Sequence, residues 1–155
     1  MEPLNIVLVE PEIPQNTGNI ARTCACLGAR LHVVEPMGFR LTDRNIKRAG
    51  CDYWDKVEIV RWRCADAFFE AHAEDELHLF TGHATRSYSD VSYGRGAYLV
   101  FGRESRGLDE AYLERFSSSC VRIPMREDLR SLNLSNAVAI GAYEAFRQMG
   151  FPDLS

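Results

Sequence analysis

The chain has 155 residues, 46% of them hydrophobic, and a formal charge of −4. This length predicts a single domain, residues 1–155, with a hydrophobic core of its own. No run approaches the ~18 apolar residues that a membrane span needs, and the first residues lack a signal-peptide pattern, so we expect a cytoplasmic protein without a membrane partner. The five cysteines form no C-x-x-C pair and have no nearby histidine at a zinc-binding spacing. We therefore expect reduced thiols and no metal site.

The positive charge of the chain is almost entirely arginine, since only Lys47 and Lys56 among the 18 basic residues are lysines. The net negative charge argues against binding nucleic acid through bulk electrostatics. A guanidinium, however, suits bidentate phosphate contacts and stacking on bases. The arginines lie in three groups in or beside loops: Arg40, Arg44 and Arg48; Arg103 and Arg106; and Arg122, Arg126 and Arg130. Each group could be solvated protein surface or could bind phosphate, and both interpretations stay open.

The hydrophobic pattern predicts six strands separated by helices. Two prolines in residues 10–16 predict a loop there, so the first helix is expected from Thr17 to Leu27, with Gly28 ending it. The other predicted helices are 42–48, 65–73, 109–115 and 133–149, with caps at Thr42 or Asp43 and at Asp109. The predicted strands are 5–9, 31–34, 57–60, 77–81, 97–101 and 120–123.

This order of elements predicts an α/β fold with a mostly parallel six-stranded sheet and helices on both faces. Ligands in such folds collect beyond the carboxyl ends of the strands. Common nucleotide and hydrolase motifs are absent from these loops: the chain has no G-x-x-x-x-G-K-[ST], no G-x-G-x-x-G after the first strand and no G-x-S-x-G. The loops of interest follow Val9, Thr81, Phe101 and Ile123.

Two of these loops carry unusual polar residues. Asn16, Asn19 and Arg22 recur every three residues, which predicts that they share one helix face. Capping could account for one of the asparagines but not for Arg22 on the same stripe. In residues 101–108, Gly102 and Gly107 bound a loop that includes Glu104, a hydrogen-bond acceptor. A plain turn would need at most one of these glycines, so they indicate close approach of the backbone to a ligand.

A third polar segment joins the last strand to the last helix. It places Ser131, Asn133 and Ser135 at a helix N-terminus, where unpaired N–H groups and a partial positive charge can hold a small polar ligand. The alternative is a simple cap by Asn133 or Ser135.

Together the three segments resemble the signature motifs of the SPOUT-class RNA methyltransferases, specifically the TrmH-like ribose 2′-O-methyltransferases. The matches are N-x-x-N-x-x-R at residues 16–22, F-G-x-E-x-x-G-L at 101–108, and I-P-M followed by S-L-N-L-S-N-A within 123–137. Residues 5–22, 35–39 and 48–50 are most similar to the short, single-domain TrmL subgroup, which methylates the wobble ribose of leucine tRNAs.

The resemblance implies a C-terminal trefoil knot whose loops bind S-adenosylmethionine, although true knots are nearly absent from proteins. It also implies a homodimer that acts on nucleotide 34, cytidine or a modified uridine, of leucine tRNA without a metal. Arg22 takes the catalytic position, and Asn16, Asn19, Glu104, Ser131 and Asn133 would position it and the ribose. The implied cofactor-binding residues are Phe80, Thr81, Gly82, Gly102, Ile123, Met125, Ser131 and Leu132.

Arg103 stands where a small residue or proline is common in the family, so it could reshape the loop or contact RNA phosphate. No RNA-binding domain is appended, so the dimer surface would have to recognise the substrate. Three alternatives stay open: the same reaction on another RNA such as rRNA, a catalytically silent RNA-binding module on the same fold, and a flavodoxin-like flavin binder. The intact set of Asn16, Arg22, Glu104 and Asn133 disfavours the silent module.

Overall fold

The computed structural model describes residues 2–42 and 44–155, without the side chains of residues 45, 47 and 50–52. Its strands form one sheet in the order β3-β2-β1-β5-β4-β6, and every pairing is parallel. The predicted α/β fold with a mostly parallel six-stranded sheet is therefore confirmed. The strands are β1 (Asn5–Val9), β2 (Arg30–Val34), β3 (Ile59–Trp62), β4 (Leu77–Phe80), β5 (Tyr98–Phe101) and β6 (Cys120–Val121).

Helices pack on both faces of this sheet, as the alternation of buried residues requires. One face carries Ile6, Leu8 and Phe101 against two of the helices, α1 and α5. The other carries Val7 and Val100 against α3, with the partly buried side of α4 beside it. The helices are α1 (Pro14–Leu27), α2 (Arg44–Gly50), α3 (Ala65–Ala71), α4 (Glu110–Arg115) and α5 (Leu134–Gln148), with 3₁₀ helices at Cys51–Lys56, Tyr88–Asp90 and Ser117–Ser119.

Helix α1 begins at Pro14, so the predicted loop through Asn16 was wrong. A proline at the first helical position loses no intrahelical bond, because the N–H groups of the first turn have no partner in any case. Gly28 ends the helix in the left-handed conformation, with a φ of 68°, as predicted. Three residues of the first motif therefore lie within the first three turns of one helix.

The last strand is shorter than predicted and ends at Val121. Beyond it the chain leaves the sheet and pairs with residues 86–88: Arg122 N donates to Arg86 O at 2.9 Å and Tyr88 N donates to Arg122 O at 2.8 Å. Strand β3 also begins two residues later than predicted. The predicted cap of α2 at Asp43 lies outside the described residues, and the trefoil knot stays a prediction. None of the described helices is long and apolar enough to cross a membrane.

Candidate active site

Glu104 joins the loop after β5 to the loop after β1. Its carboxylate accepts hydrogen bonds from Glu12 N at 2.8 Å, Ile13 N at 2.9 Å and Asn16 Nδ2 at 3.2 Å. In return, Ser105 N donates to Glu12 Oε1 at 2.8 Å, and this bond lowers the pKa of Glu12. The N–H groups at the start of α1 carry a partial positive charge, which the carboxylate complements. Glu104 therefore ties the second motif to the helix that carries the first.

The three polar residues of the first motif do not all point the same way. Asn16 is 6% exposed and turned towards Glu104, whereas Asn19 and Arg22 are exposed. A spacing of three residues drifts by about 60° around a helix at each step, which separates the first residue from the last. The Arg22 guanidinium instead lies against Tyr53 of the 3₁₀ helix Cys51–Lys56, with 5.0 Å between Cζ and the ring centroid. Tyr53 lies in none of the three motifs, although it closely follows residues 48–50, which resemble the TrmL subgroup.

The loop after β5 needs both of its glycines for its own closure. A Cβ on Gly102 would lie 2.2 Å from the carbonyl carbon of Gly107 and 2.3 Å from Leu108 N. Gly107 has a φ of +69°, and its N–H donates to Arg103 O at 2.8 Å. The expectation that a plain turn needs at most one glycine was therefore wrong. The close approach at Gly102 is to the chain itself.

Arg103 is held inside the protein by two carboxylates. Its side chain is 9% exposed and pairs with Glu10 at 3.3 Å and with Asp109. Its Nε, which is buried, has no hydrogen-bond partner among the described residues. Of the two roles that the sequence suggested for Arg103, these contacts favour shaping the loop. Asp109 precedes α4 as predicted, but its carboxylate binds Arg103 and makes no capping bond.

Asn133 is the N-cap of α5. Its Oδ1 accepts a hydrogen bond from Ser135 N at 2.9 Å and another from the Ser135 hydroxyl. Of the two predicted caps, Asn133 is thus the correct one. Asn133 and Ser131 are both exposed. The cap uses the side-chain oxygen of Asn133, so its NH₂ group stays at the surface, next to residues 123–132.

The sequence model described as "SpoU rRNA Methylase family" matches residues 3–143. This chain belongs to that family. A tRNA (cytidine(34)-2′-O)-methyltransferase of Escherichia coli strain K12 is 50% identical over 150 residues, covering 96% of each chain. One of Saccharophagus degradans is 49% identical over 148 residues, covering 95% of this chain and 96% of the relative. The predicted resemblance is confirmed, and the chain is a methyltransferase.

Solved structures show the same relationship. This SpoU methylase superposes with a TM-score of 0.91 and 45% identity on a structure described as giving insights into 2′-OH methylation of C/U34 on tRNA, covering 96% of this chain and 97% of that one. The methyltransferase AviRb of Streptomyces viridochromogenes, solved in complex with AdoMet, superposes with a TM-score of 0.83 and 26% identity. That match covers 96% of this chain and 58% of AviRb.

Three of the expected cofactor residues, Phe80, Thr81 and Gly82, lie at and just after the end of β4. The Phe80 ring stacks on Phe101 with 4.6 Å between centroids, and a Cβ on Gly141 of α5 would lie 2.8 Å from it. The side chain of Phe80 therefore belongs to the core. Thr81 N donates to Val121 O at 2.9 Å, and Thr81 Oγ1 accepts from His83 N. Gly82 is exposed, and an added Cβ there would have no other heavy atom within 4 Å outside its chain neighbours.

Residues 123–132 combine main-chain hydrogen-bonding groups with apolar side chains, which suit the adenosine and methionine parts of the expected cofactor. Along this described segment Leu129 N donates to Arg126 O at 3.1 Å, and its other main-chain groups have no main-chain partner among the described residues. Apolar surface lies among them, since Ile123 and Met125 are half-buried and Leu132 is 37% exposed. Backbone donors and acceptors beside apolar side chains are typical of small-molecule sites. The residues present fit S-adenosylmethionine.

Two open cavities lie elsewhere on the described surface. The first, of about 230 Å³, includes Thr81 of the expected cofactor residues. The second, of about 400 Å³, lies beside the start of β4 and the chain around β6. The structure thus does not bring Gly102, Ile123, Met125, Ser131 and Leu132 together around either cavity. The first is lined by Thr81, His83, Ala84, Thr85, Arg86, Leu113, Ser117, Ser118 and Cys120.

Proposed function

We propose that this SpoU methylase transfers the methyl group of S-adenosylmethionine to the 2′-hydroxyl of nucleotide 34, a cytidine or modified uridine, in leucine tRNAs. The observation that carries the proposal is that Glu104 holds the start of α1 while Arg22 stands exposed on the same helix. The two motifs thus form one unit with a free guanidinium face. The names of the relatives, at about half identity over nearly the full chain, support tRNA position 34 as the target.

The chain's own residues would have to align the ribose and stabilise the oxygen that attacks. When bound, S-adenosylmethionine would supply a methyl group already activated by its positive sulfonium and would leave as S-adenosylhomocysteine, while the proton of the ribose hydroxyl would pass to solvent. Residues 123–132, with Gly82 and the Gly102 loop, would hold it through main-chain groups. Arg22 would hold the flanking phosphate and stabilise the developing alkoxide, because a guanidinium is almost never deprotonated. Asn19 lies exposed on α1 and would help to orient the ribose.

We further propose that the enzyme acts as a homodimer in the cytoplasm, where its RNA substrate is found. A single domain with a charge of −4 offers little basic surface, and a second copy doubles the number of arginines that one tRNA meets. Helix α5 also leaves Tyr143 46% exposed, and Leu129 is 60% exposed before it. In the proposed dimer, the second copy would pack over these side chains.

The deciding experiment is transfer of labelled methyl from S-adenosylmethionine to bulk tRNA from cells that lack this enzyme, with the product nucleoside identified by mass spectrometry. We expect a 2′-O-methylated nucleotide 34 in leucine tRNA. Transfer to rRNA with none to tRNA would replace the substrate and keep the reaction. Cofactor binding without transfer to any RNA would favour the silent module instead.

A further inference from the structure

Tyr53 lies beside Arg22 and belongs to none of the three motifs. The Arg22 Cζ is 5.0 Å from the centroid of the Tyr53 ring, within the range of a cation–π contact. The 3₁₀ helix that carries Tyr53 packs against α1. The ring is half-buried, whereas Arg22 is exposed. The half-buried ring of Tyr53 thus lies against the guanidinium of an exposed arginine.

This environment differs from that of several other arginines in the chain. Arg30, Arg61 and Arg147 each pair with a carboxylate at 2.6–2.9 Å. Among the side chains that the structure describes, none gives Arg22 such a partner. A carboxylate binds the in-plane N–H groups and cancels the charge. A guanidinium that stacks with its face on an aromatic ring keeps its in-plane N–H donors free for bidentate contacts with phosphate.

We propose that Tyr53 is a positioning residue for methyl transfer, which holds the Arg22 guanidinium over its ring so that the in-plane donors meet the phosphate beside the target ribose. This inference rests on the proposed function. A long arginine side chain loses rotamer freedom when it binds, and a ring that orders it beforehand reduces that loss. Arg44 and Lys56 are exposed at the two ends of residues 44–56, which carry Tyr53 and pack against α1.

The test varies the aromatic ring at position 53 and the electron density on its face. Tyr53→Phe keeps the ring, Tyr53→Leu removes its π face, and mono-, di- and trifluorinated phenylalanines withdraw electrons from the face step by step. We expect Tyr53→Phe to transfer methyl within about twofold of the wild type. Tyr53→Leu should lower kcat about threefold to thirtyfold, which corresponds to about 0.6–2 kcal/mol. The fluorinated series should fall stepwise between them, with the Kd for S-adenosylmethionine unchanged.

The matched control is Phe116→Leu, which removes a similar contact with Arg115, at 4.8 Å, away from Arg22. Thermal unfolding of every variant separates lost positioning from lost folding, and the fluorinated rings keep the packing if Tyr53→Leu does not fold. Equal kcat for Tyr53→Leu and Tyr53→Phe, or a flat fluorinated series, would overturn the role of Tyr53 and leave the proposed function standing. No transfer by the wild type to any tRNA would overturn both.

Discussion

The side-chain amide of Asn16 donates a hydrogen bond to Glu104 across 88 positions of the chain. Parallel pairing of β1 with β5, in which Leu8 lies opposite Phe101, brings the carboxyl ends of the two strands together. The loops that follow them therefore meet, and Glu104 can reach the first turn of α1. The placement of Arg22 depends on these hydrogen bonds of Glu104, since Arg22 lies on the helix whose start they hold.

Glu104→Gln should weaken the contact of residue 104 with the start of α1 while keeping the shape of the side chain. A glutamine offers one carbonyl oxygen, so its NH₂ group would face one of the main-chain N–H groups of Glu12 or Ile13, a donor against a donor. We expect a loss of about 1–2 kcal/mol in the free energy of unfolding, measured with denaturant, together with slower methyl transfer. Glu110→Gln, at an exposed site on α4, is the control. Equal stability of the two variants would contradict the role of Glu104.

Gly102→Ala should be poorly tolerated. The added Cβ would meet the Gly107 and Leu108 backbone at 2.2–2.3 Å, so the loop after β5 must move. We expect a destabilisation of about 1–3 kcal/mol or more in denaturant unfolding, with weaker binding of S-adenosylmethionine. Gly82→Ala is the matched comparison, because no atom lies within 4 Å of its added Cβ. The prediction is wrong if both variants unfold at the same denaturant concentration.

Arg22→Ala should strongly reduce methyl transfer and leave cofactor binding intact. Removing one group that stabilises a developing oxyanion typically lowers kcat by about 10²–10³. We expect a loss of that size in single-turnover transfer to tRNA, and an unchanged Kd for S-adenosylmethionine by calorimetry. The control is Arg115→Ala, which removes another exposed guanidinium that lies over an aromatic ring. Unchanged transfer by Arg22→Ala would remove Arg22 from the mechanism.

His32 should make the protein less stable in mild acid. Trp62 Nε1 donates to its Nδ1 at 3.0 Å, so Nε2 carries the proton and donates to Asn5 Oδ1 at 2.9 Å. Burial, with the neighbouring His72, lowers the pKa of His32 from 6.5 to about 4. Between these two values the unfolded chain binds more protons than the folded one, so stability falls as pH drops from about 6.5 to 4.

Between pH 6.5 and 4, protonation of His32 should lower the free energy of unfolding by about 3 kcal/mol. Denaturant unfolding at several pH values measures it, and His32→Gln should flatten the pH dependence whatever its effect on stability at neutral pH. His83→Gln, which changes an exposed histidine, should keep the slope of the wild type. An equal slope in His32→Gln would show that other groups cause the acid sensitivity.

Much of the architecture could be predicted from local patterns. Short apolar runs alternating with helical periodicity predicted the parallel sheet, and Gly28 and Asn133 ended and began helices as expected. The errors were local as well: the two prolines in residues 10–16 predict a loop, but α1 begins at Pro14, because proline suits the first turn of a helix. The three motifs predicted the family whose sequence model matches residues 3–143.

Which atoms the motif residues contact was decided only by the tertiary structure. Glu104 binds N–H groups 91 and 92 positions away, and Gly102 is required by the backbone of its own loop. Tyr53 meets Arg22 because the 3₁₀ helix packs on α1. Periodicity along a chain specifies which way a side chain faces within its own element. Contacts between loops instead depend on strand register and helix packing, which arise only when distant segments come together.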